Sequence, residues 1–283
     1  ANDARTRSGP GVNVVVVGGG SWGTVFATVL RANHHAVALA CRDPAQAAAI
    51  RETGRNPRYV PWLDLSGIEA GTLDEAPIEA ANLVVVAVPS AAFAGVVRRL
   101  PGTAPLLSLT KGLDPATGAR LSSCVEGRPV AVLSGPNIAE EIGRGLPAAS
   151  VIACESLPLA VQLQLAVTSP TFRVYSSDDV TGVELCAAAK NVIALAAGGA
   201  DGLGLGDNAK AALVTRGLAE LGRLAEVAGA RPETFAGLAG MGDLIVTCWS
   251  RSGRNRRCGE LVAQGATPAE AAREIGQVVE GLT

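Results

Sequence analysis

The feature that most constrains this chain is a β-branched run that ends in glycines. Val12-Asn13-Val14-Val15-Val16-Val17 gives way to Gly18-Gly19-Gly20-Ser21-Trp22-Gly23. β-Branched side chains are stiff and favour extended backbone, and a nearly continuous apolar run is the pattern of a strand buried on both faces. A helix is predicted over 21–32. The spacing Gly18-x-Gly20-x-x-Gly23 between such a strand and such a helix is that of a dinucleotide-binding turn. Gly18 permits the tight turn, Gly20 lets backbone approach a pyrophosphate, and Gly23 lets the helix pack closely on the strand. The helix then starts at Ser21 and Trp22, with free N–H groups and a positive dipole end facing the phosphates. Without this context the signal would be weak, because glycines also serve plain turns.

The same punctuation continues downstream. Strands are predicted over 36–41, 83–88, 106–109, 130–133, 150–154 and 172–176, with helical stretches such as 91–100 between several of them. Alternating strands and helices imply an α/β, Rossmann-like doubly wound parallel sheet. After Ser177 the pattern becomes all-α. Helices are predicted over 183–197 and 208–228, separated by Gly198-Gly199-Ala200-Asp201-Gly202-Leu203-Gly204-Leu205-Gly206, which reads as too glycine-rich to continue either. The expected organisation is a flexible tail over 1–11, a dinucleotide-binding domain over 12–180 and a helical substrate domain over 181–283.

Composition excludes several functions. The chain has 283 residues, of which 48% are apolar and 18% charged, which fits a globular protein with a large core. A net charge of −2 gives no general electrostatic case for nucleic acid or an anionic membrane. Six cysteines include no CxxC pair, and the two histidines are adjacent, so no metal is expected. The cysteines read as small core residues of a reducing, cytoplasmic compartment. The longest apolar stretch, 183–197, is interrupted by Glu184, Lys190 and Asn191, so no membrane insertion is expected. Residues 1–11 lack an apolar signal-peptide core.

The end of the second strand usually reads the adenosine ribose, where an acid favours NAD(H) and an arginine accommodates the NADP(H) phosphate. Here Cys41-Arg42-Asp43 inclines toward NADP(H) through Arg42 and leaves NAD(H) open through Asp43. Pro89-Ser90 and Thr110-Lys111-Gly112 follow strands at the carboxyl edge, where ligands bind in such sheets. Far downstream, Ala187-Ala188-Ala189-Lys190-Asn191 holds a lysine on a mostly apolar helix. Desolvation lowers a lysine's proton affinity and suits it to acid/base work.

Three further motifs join Ala189-Lys190-Asn191 to complete the constellation: Ser134-Gly135-Pro136-Asn137, Gly240-Met241-Gly242-Asp243-Leu244 and Gly253-Arg254-Asn255-Arg256-Arg257. With the stretch 201–216 and Gln277-Val278-Val279-Glu280-Gly281, they closely resemble NAD(P)-dependent glycerol-3-phosphate dehydrogenase of the bacterial type over nearly the whole chain, in family order. The resemblance implies reduction of dihydroxyacetone phosphate to sn-glycerol 3-phosphate, feeding glycerophospholipid synthesis. It implies Lys190 as the acid/base and Asp243 as its orienting partner and substrate ligand. Thr247, four residues on, shares that site. Asn191 is a candidate for the substrate phosphate, and Arg254 and Asn255 look like its clamp. Arg256 and Arg257 extend that basic cluster, are only surface charges, or pair with Glu260. Lys111, Gly135, Asn137 and Gly253 match substrate positions. Gly18, Gly20, Ser21, Trp22, Gly23, Arg42, Lys111, Ala139, Arg254, Val278 and Glu280 match cofactor positions.

Three departures stand out. The family serine before the Arg-Asn pair is Gly253, so one substrate hydrogen bond is missing or replaced. Gly19 stands where alanine is usual, a mild change adding flexibility. Family members carry further helices beyond position 283, so the helical domain is expected to lack part of its packing. Two other readings remain on the sequence alone: a two-domain reductase of a small anionic acid, such as a 3-hydroxyacid dehydrogenase or ketopantoate reductase, and a non-catalytic NADP(H)-binding relative. The late apolar helices suggest a homodimer.

Overall fold

The computed structural model describes residues 11–282; the tail expected over 1–11 lies outside them except for Gly11. Eight strands form one sheet: β1 (Asn13–Val17), β2 (Ala36–Cys41), β3 (Glu69–Thr72), β4 (Leu83–Val86), β5 (Leu106–Ser108), β6 (Val130–Ser134), β7 (Ala148–Cys154) and β8 (Phe172–Ser177). Their order is β3-β2-β1-β4-β5-β6-β7-β8. Val14 pairs in parallel with Val37 on one side and Leu83 on the other, so the strand order reverses beside β1. That is where doubly wound sheets open a ligand crevice. Val14 and Val16 face one apolar layer with Phe26, Leu30 and Phe172, and Val15 and Val17 face the other with Phe93 and Val97. Burial on both faces accounts for the lack of polar alternation in β1.

The sheet departs from the expected pattern at one pairing. β6 and β7 run antiparallel, with Val132 opposite Ala153. The connection between them holds only α4 (Ala139–Gly143), counting helices α1 (Ser21–Ala32), α2 (Pro44–Thr53) and α3 (Ser90–Val97) before it. A one-turn helix rises about 7 Å and cannot recross a strand about 16 Å long, so the chain turns back at the same edge. The edge strand β3, Glu-Ala-Gly-Thr, carries too little apolar pattern to be read from sequence.

α5 (Leu157–Val167) leads to β8, and the chain then becomes helical: α6 (Val180–Gly202), α7 (Gly206–Val227), α8 (Pro232–Ala236), α9 (Asp243–Trp249), α10 (Arg254–Ala263) and α11 (Pro268–Ile275). The glycine-rich stretch does not break the first of these, contrary to the sequence reading. α6 continues through Gly198 and Gly199 to Gly202. The reason is packing. A Cβ on Gly198 would lie 1.7 Å from the Arg256 carbonyl oxygen, and one on Gly202 would lie 2.5 Å from that of Glu260. α10 reciprocates, since a Cβ on Gly259 would lie 1.9 Å from the Leu195 carbonyl. Glycine costs about 1 kcal/mol in a helix interior, and here the close backbone approach offsets that cost. The longer helix also has the length and composition to cross a membrane, unlike the stretch read from sequence, but most of it is buried inside the fold.

The contact carries a prediction. Gly259→Ala should destabilise the protein by about 3 kcal/mol or more through overpacking against a helix backbone that cannot yield. Chemical denaturation of parent and variant measures the difference.

Candidate active site

The cofactor loop is held from below. Gly18 adopts φ +121, and a Cβ there would lie 2.3 Å from the carbonyl of Ala87, the residue just after the neighbouring strand β4. A Cβ on Gly23 would lie 2.0 Å from the Gly18 carbonyl, whereas one on Gly20 would meet open space. The Gly19 carbonyl accepts from Gln46 Nε2 at 2.7 Å and from Asn56 Nδ2 at 3.0 Å. Helix α1 starts with no side-chain cap and no acid in its first turn, which suits a pyrophosphate. Trp22 turns inward and packs edge-on against Phe26 and Phe172, so its ring is a wedge under the loop. Gln46 and Asn56 carry no sequence signal for this role, because each comes from a segment with no motif.

Gly19 is more than a mild change. A Cβ there would lie 2.6 Å from Cys41 Sγ at the end of β2, so the glycine and the cysteine are mutually fitted. Just beyond, Asp43 caps α2 by accepting from Ala45 N at 2.9 Å. Arg42 is exposed and makes no hydrogen bond or ion pair among the described residues.

The opposite wall is built around one carboxylate. Asp243 is 1% exposed and opens α9. Its Oδ1 accepts from Lys190 Nζ of α6 at 2.5 Å. Its Oδ2 accepts from Lys111 Nζ, beyond β5, at 2.7 Å and from Ser134 Oγ, at the end of β6, at 3.3 Å. Lys111 Nζ also donates to the Gly135 carbonyl at 3.0 Å, and Lys190 Nζ to Thr247 Oγ1 at 3.2 Å. The residues before Asp243 reach it in helical conformation. Leu238–Gly242 wind as one π-helical turn into α9. Gly240 allows it, because a Cβ there would lie 2.3 Å from the Phe235 carbonyl.

Two ammonium groups thus share one buried carboxylate. Desolvation pushes the Lys190 ammonium down to about 7, against the pull of Asp243 and helped by the positive charge of Lys111. Burial alone would raise the Asp243 carboxyl, but Lys111 and Lys190 more than offset it and hold it below the usual carboxylate range. Losing one proton from Lys190 leaves the cluster electrically balanced, which is the arrangement an acid/base group requires.

The remaining predicted residues assemble nearby. Asn255 Nδ2 donates to Asn191 Oδ1 at 3.0 Å, tying the start of α10 to the residue after Lys190. Asn255 Oδ1 accepts from Gly281 N at 2.9 Å. Arg254 Nη1 donates to the Val278 carbonyl at 2.9 Å, and its Nη2 lies 3.8 Å from Glu280 Oε2. Three residues predicted as cofactor contacts from distant motifs therefore meet. Asn137 donates to Ser150 Oγ, and its buried Oδ1 has no partner among the described residues, leaving an acceptor free. Ala139 opens α4 and packs half-buried on the apolar core that includes Val25 and Phe26 of α1. Gly253 is the residue before α10, and a Cβ there would lie 2.9 Å from the Thr247 carbonyl. Arg256 is not a surface charge: it is 9% exposed and pairs with Asp201 at 2.5 Å and Glu260 at 3.0 Å. Arg257 is exposed and pairs with Glu274 at 2.9 Å.

The fitted pair in the loop yields a prediction. Gly19→Ala should weaken NADPH binding about tenfold, equivalent to ~1.4 kcal/mol. Adding Cys41→Ala should restore most of it. Fluorescence titration of the reduced cofactor measures both.

Comparison with known proteins agrees with this geometry. Residues 13–160 match the family model described as NAD-dependent glycerol-3-phosphate dehydrogenase N-terminus, and residues 179–283 match its C-terminus. A relative from Moorella thermoacetica, named glycerol-3-phosphate dehydrogenase [NAD(P)+], is 47% identical over 278 residues, covering 95% of this chain and 83% of its own. One of the same name from Halorhodospira halophila is 45% identical over 276 residues, with 95% and 83% covered. The crystal structure of glycerol-3-phosphate dehydrogenase from Coxiella burnetii superposes with a TM-score of 0.92 at 38% identity, covering 96% of this chain and 86% of that one. A glycine loop at a strand-order reversal, facing a lysine pair on a buried aspartate, thus sits in a chain that belongs to the NAD-dependent glycerol-3-phosphate dehydrogenase family.

Proposed function

We propose that the chain reduces dihydroxyacetone phosphate to sn-glycerol 3-phosphate with NAD(P)H, reversibly, and that Lys190 moves the proton. The observation that carries this reading is the shared carboxylate of Asp243 between Lys190 and Lys111. Gly18, Gly20 and Gly23 would hold the pyrophosphate of a nicotinamide cofactor, which when bound would supply the hydride for the C2 carbon of the ketone. Everything else falls to the chain's own groups. Charged Lys190 gives its proton to the C2 oxygen as negative charge develops there, and neutral Lys190 takes it back in the reverse direction. Asp243 orients Lys190 Nζ, and Thr247 fixes it from the side. Lys111 supplies a second positive charge for the oxygen and for the anionic substrate. Arg254 and Asn255 bind the phosphate, with Asn191 and Asn137 completing the pocket; a guanidinium grips phosphate oxygens in pairs. Gly253 leaves that pocket one hydroxyl poorer than the family pattern.

On the cofactor side, Gly18, Gly20, Ser21, Trp22 and Gly23 hold the pyrophosphate, and Ala139, Arg254, Val278 and Glu280 line the far end. NADP(H) is the preferred form in this reading, because Arg42 is uncommitted while Asp43 is engaged by a helix. Residues 12–180 form the dinucleotide-binding domain and 181–283 the helical substrate domain, each lending residues to the other's ligand: Lys111 and Asn137 to the substrate, Arg254, Val278 and Glu280 to the cofactor. The setting is the cytoplasm, the product feeds glycerophospholipid synthesis, and the working unit is a homodimer.

The decisive assay is NADPH oxidation by the full chain with dihydroxyacetone phosphate, repeated with NADH; silence with both would overturn the reading. Lys190→Ala should lower turnover by about 10³-fold or more while sparing NADPH binding, and near-parent turnover would remove Lys190 from its role.

The pH profile follows from the lowered lysine. Reduction needs the ammonium, so its kcat/KM should fall as pH rises through about 7, and oxidation should rise over the same range. Lys111→Met removes a charge that lowers Lys190, so the midpoint should move up. Rates measured from pH 5.5 to 9 test both directions.

A further inference from the structure

The stretch 201–216 belongs to the motif set, yet among the described residues none of its side chains hydrogen-bonds to or ion-pairs with Lys190 or Lys111. Its polar residues converge elsewhere. Asp201, in the last turn of α6, accepts at Oδ2 from Lys210 Nζ of α7 at 2.7 Å and from Arg256 Nη1 of α10 at 2.5 Å. The Lys210 side chain is only 5% exposed and that of Arg256 only 11%. Both cations then reach the joint between α9 and α10. Lys210 Nζ lies 5.1 Å from the ring centroid of Trp249, the last residue of α9. Arg256 Nε donates to the Ser250 carbonyl at 3.1 Å, the first residue after α9. Arg256 Nη2 pairs with Glu260 one turn along α10 at 3.0 Å.

That joint sets a distance the reaction depends on. α9 carries Asp243 and Thr247, on which Lys190 is seated. α10 begins with Arg254 and Asn255. The connector over 250–253 is short and has no apolar anchor. Its Gly253 N–H returns to the Ser250 carbonyl at 3.1 Å, the same oxygen that Arg256 holds. The spacing between proton donor and phosphate clamp is therefore fixed at its outer side by two buried cations on the shared, half-buried carboxylate of Asp201, with Glu260 beside Arg256.

We propose that Asp201 is a positioning residue: through Lys210 and Arg256 it locks the α9–α10 joint and so sets the phosphate clamp at its working distance from Lys190. The inference rests on the assignment of Arg254 and Asn255 to the substrate phosphate. Without the carboxylate, two buried cations repel each other and the carbonyl of Ser250 loses its fixed donor. Substrate held by its phosphate then loses affinity, while the Lys190–Asp243–Lys111 contacts, which share no atom with the cluster, persist. A residue acting only on overall stability would instead lower all parameters together.

The test uses the full chain and two readouts, equilibrium titration with sn-glycerol 3-phosphate and steady-state reduction of dihydroxyacetone phosphate. D201N should weaken the titrated affinity and raise KM at least tenfold, with kcat reduced less than threefold and the pH midpoint of kcat unmoved. D201E should recover most of the loss. K210M, which keeps the Asp201–Arg256 pair, should raise KM about threefold. Affinity and KM within twofold of the parent in D201N, or a kcat loss as large as the KM rise, would overturn the proposal. Should D201N fail to fold by circular dichroism, K210M and R256K carry the same two readouts and decide in its place. A parent chain that binds glycerol 3-phosphate but reduces no dihydroxyacetone phosphate refutes the proposed reaction and leaves the positioning role to the titration. A parent that binds none refutes both.

Discussion

The site depends on one carboxylate that cannot be left alone. Asp243 is fully enclosed, and an isolated buried charge would cost several kcal/mol. It is stable there because Lys111 approaches one oxygen from the sheet and Lys190 approaches the other from α6. Lys190 in turn is held buried, and Lys111 half-buried, by the same carboxylate. The two layers of the molecule therefore meet at a point where neither can withdraw without exposing an unpaired charge. The attraction to Asp243 that ties these elements together also opposes the burial that lowers Lys190, and the balance of the two leaves the lysine near 7.

Much of this was legible in the sequence. β1, its glycine loop and α1 follow from local rules, and Ser21–Ala32 and Ala36–Cys41 fall where propensity and punctuation put them. Lys190 and Asp243 were legible only through the motifs around them, since a lone lysine on an apolar helix reads as a snorkelling side chain. What the sequence hid are contacts between segments with no local signature. Asn56 and Gln46 hold the Gly19 carbonyl from segments without a motif. Ser134 reaches Asp243 across more than a hundred residues.

Local rules mislead at the glycines of α6 for a related reason. Local propensity counts glycine as a breaker, and the stretch from Gly198 to Gly206 holds five. Tertiary packing reverses the sign for Gly198 and Gly202, where α10 comes too close for any side chain. The matching glycine on the partner helix, Gly259, is 57 positions beyond Gly202 and means nothing until the two helices are seen together. Arg256 follows the same logic: its place in a basic run suggests a surface charge, but its backbone lies in the groove those glycines make, and its side chain is drawn inward to Asp201.

The reversed pairing of β6 and β7 has a geometric consequence for the lysine. Because β7 turns back and β8 runs parallel to it, β8 ends at the edge of the sheet opposite the one where β6 ends. α6 therefore starts at the far edge and climbs back alongside β6 and β7 before it reaches the level of Lys111. Lys190 stands ten residues into the climb from Val180, about 15 Å of rise, which matches the height of a five-residue strand at about 16 Å. The helix acts as a ruler laid along the sheet, graduated in steps of 1.5 Å and 100° per residue. A residue inserted below Lys190 would shift the amine in height and swing it around the axis together, so the length of this one segment is as much a part of the chemistry as the identity of the residue it carries.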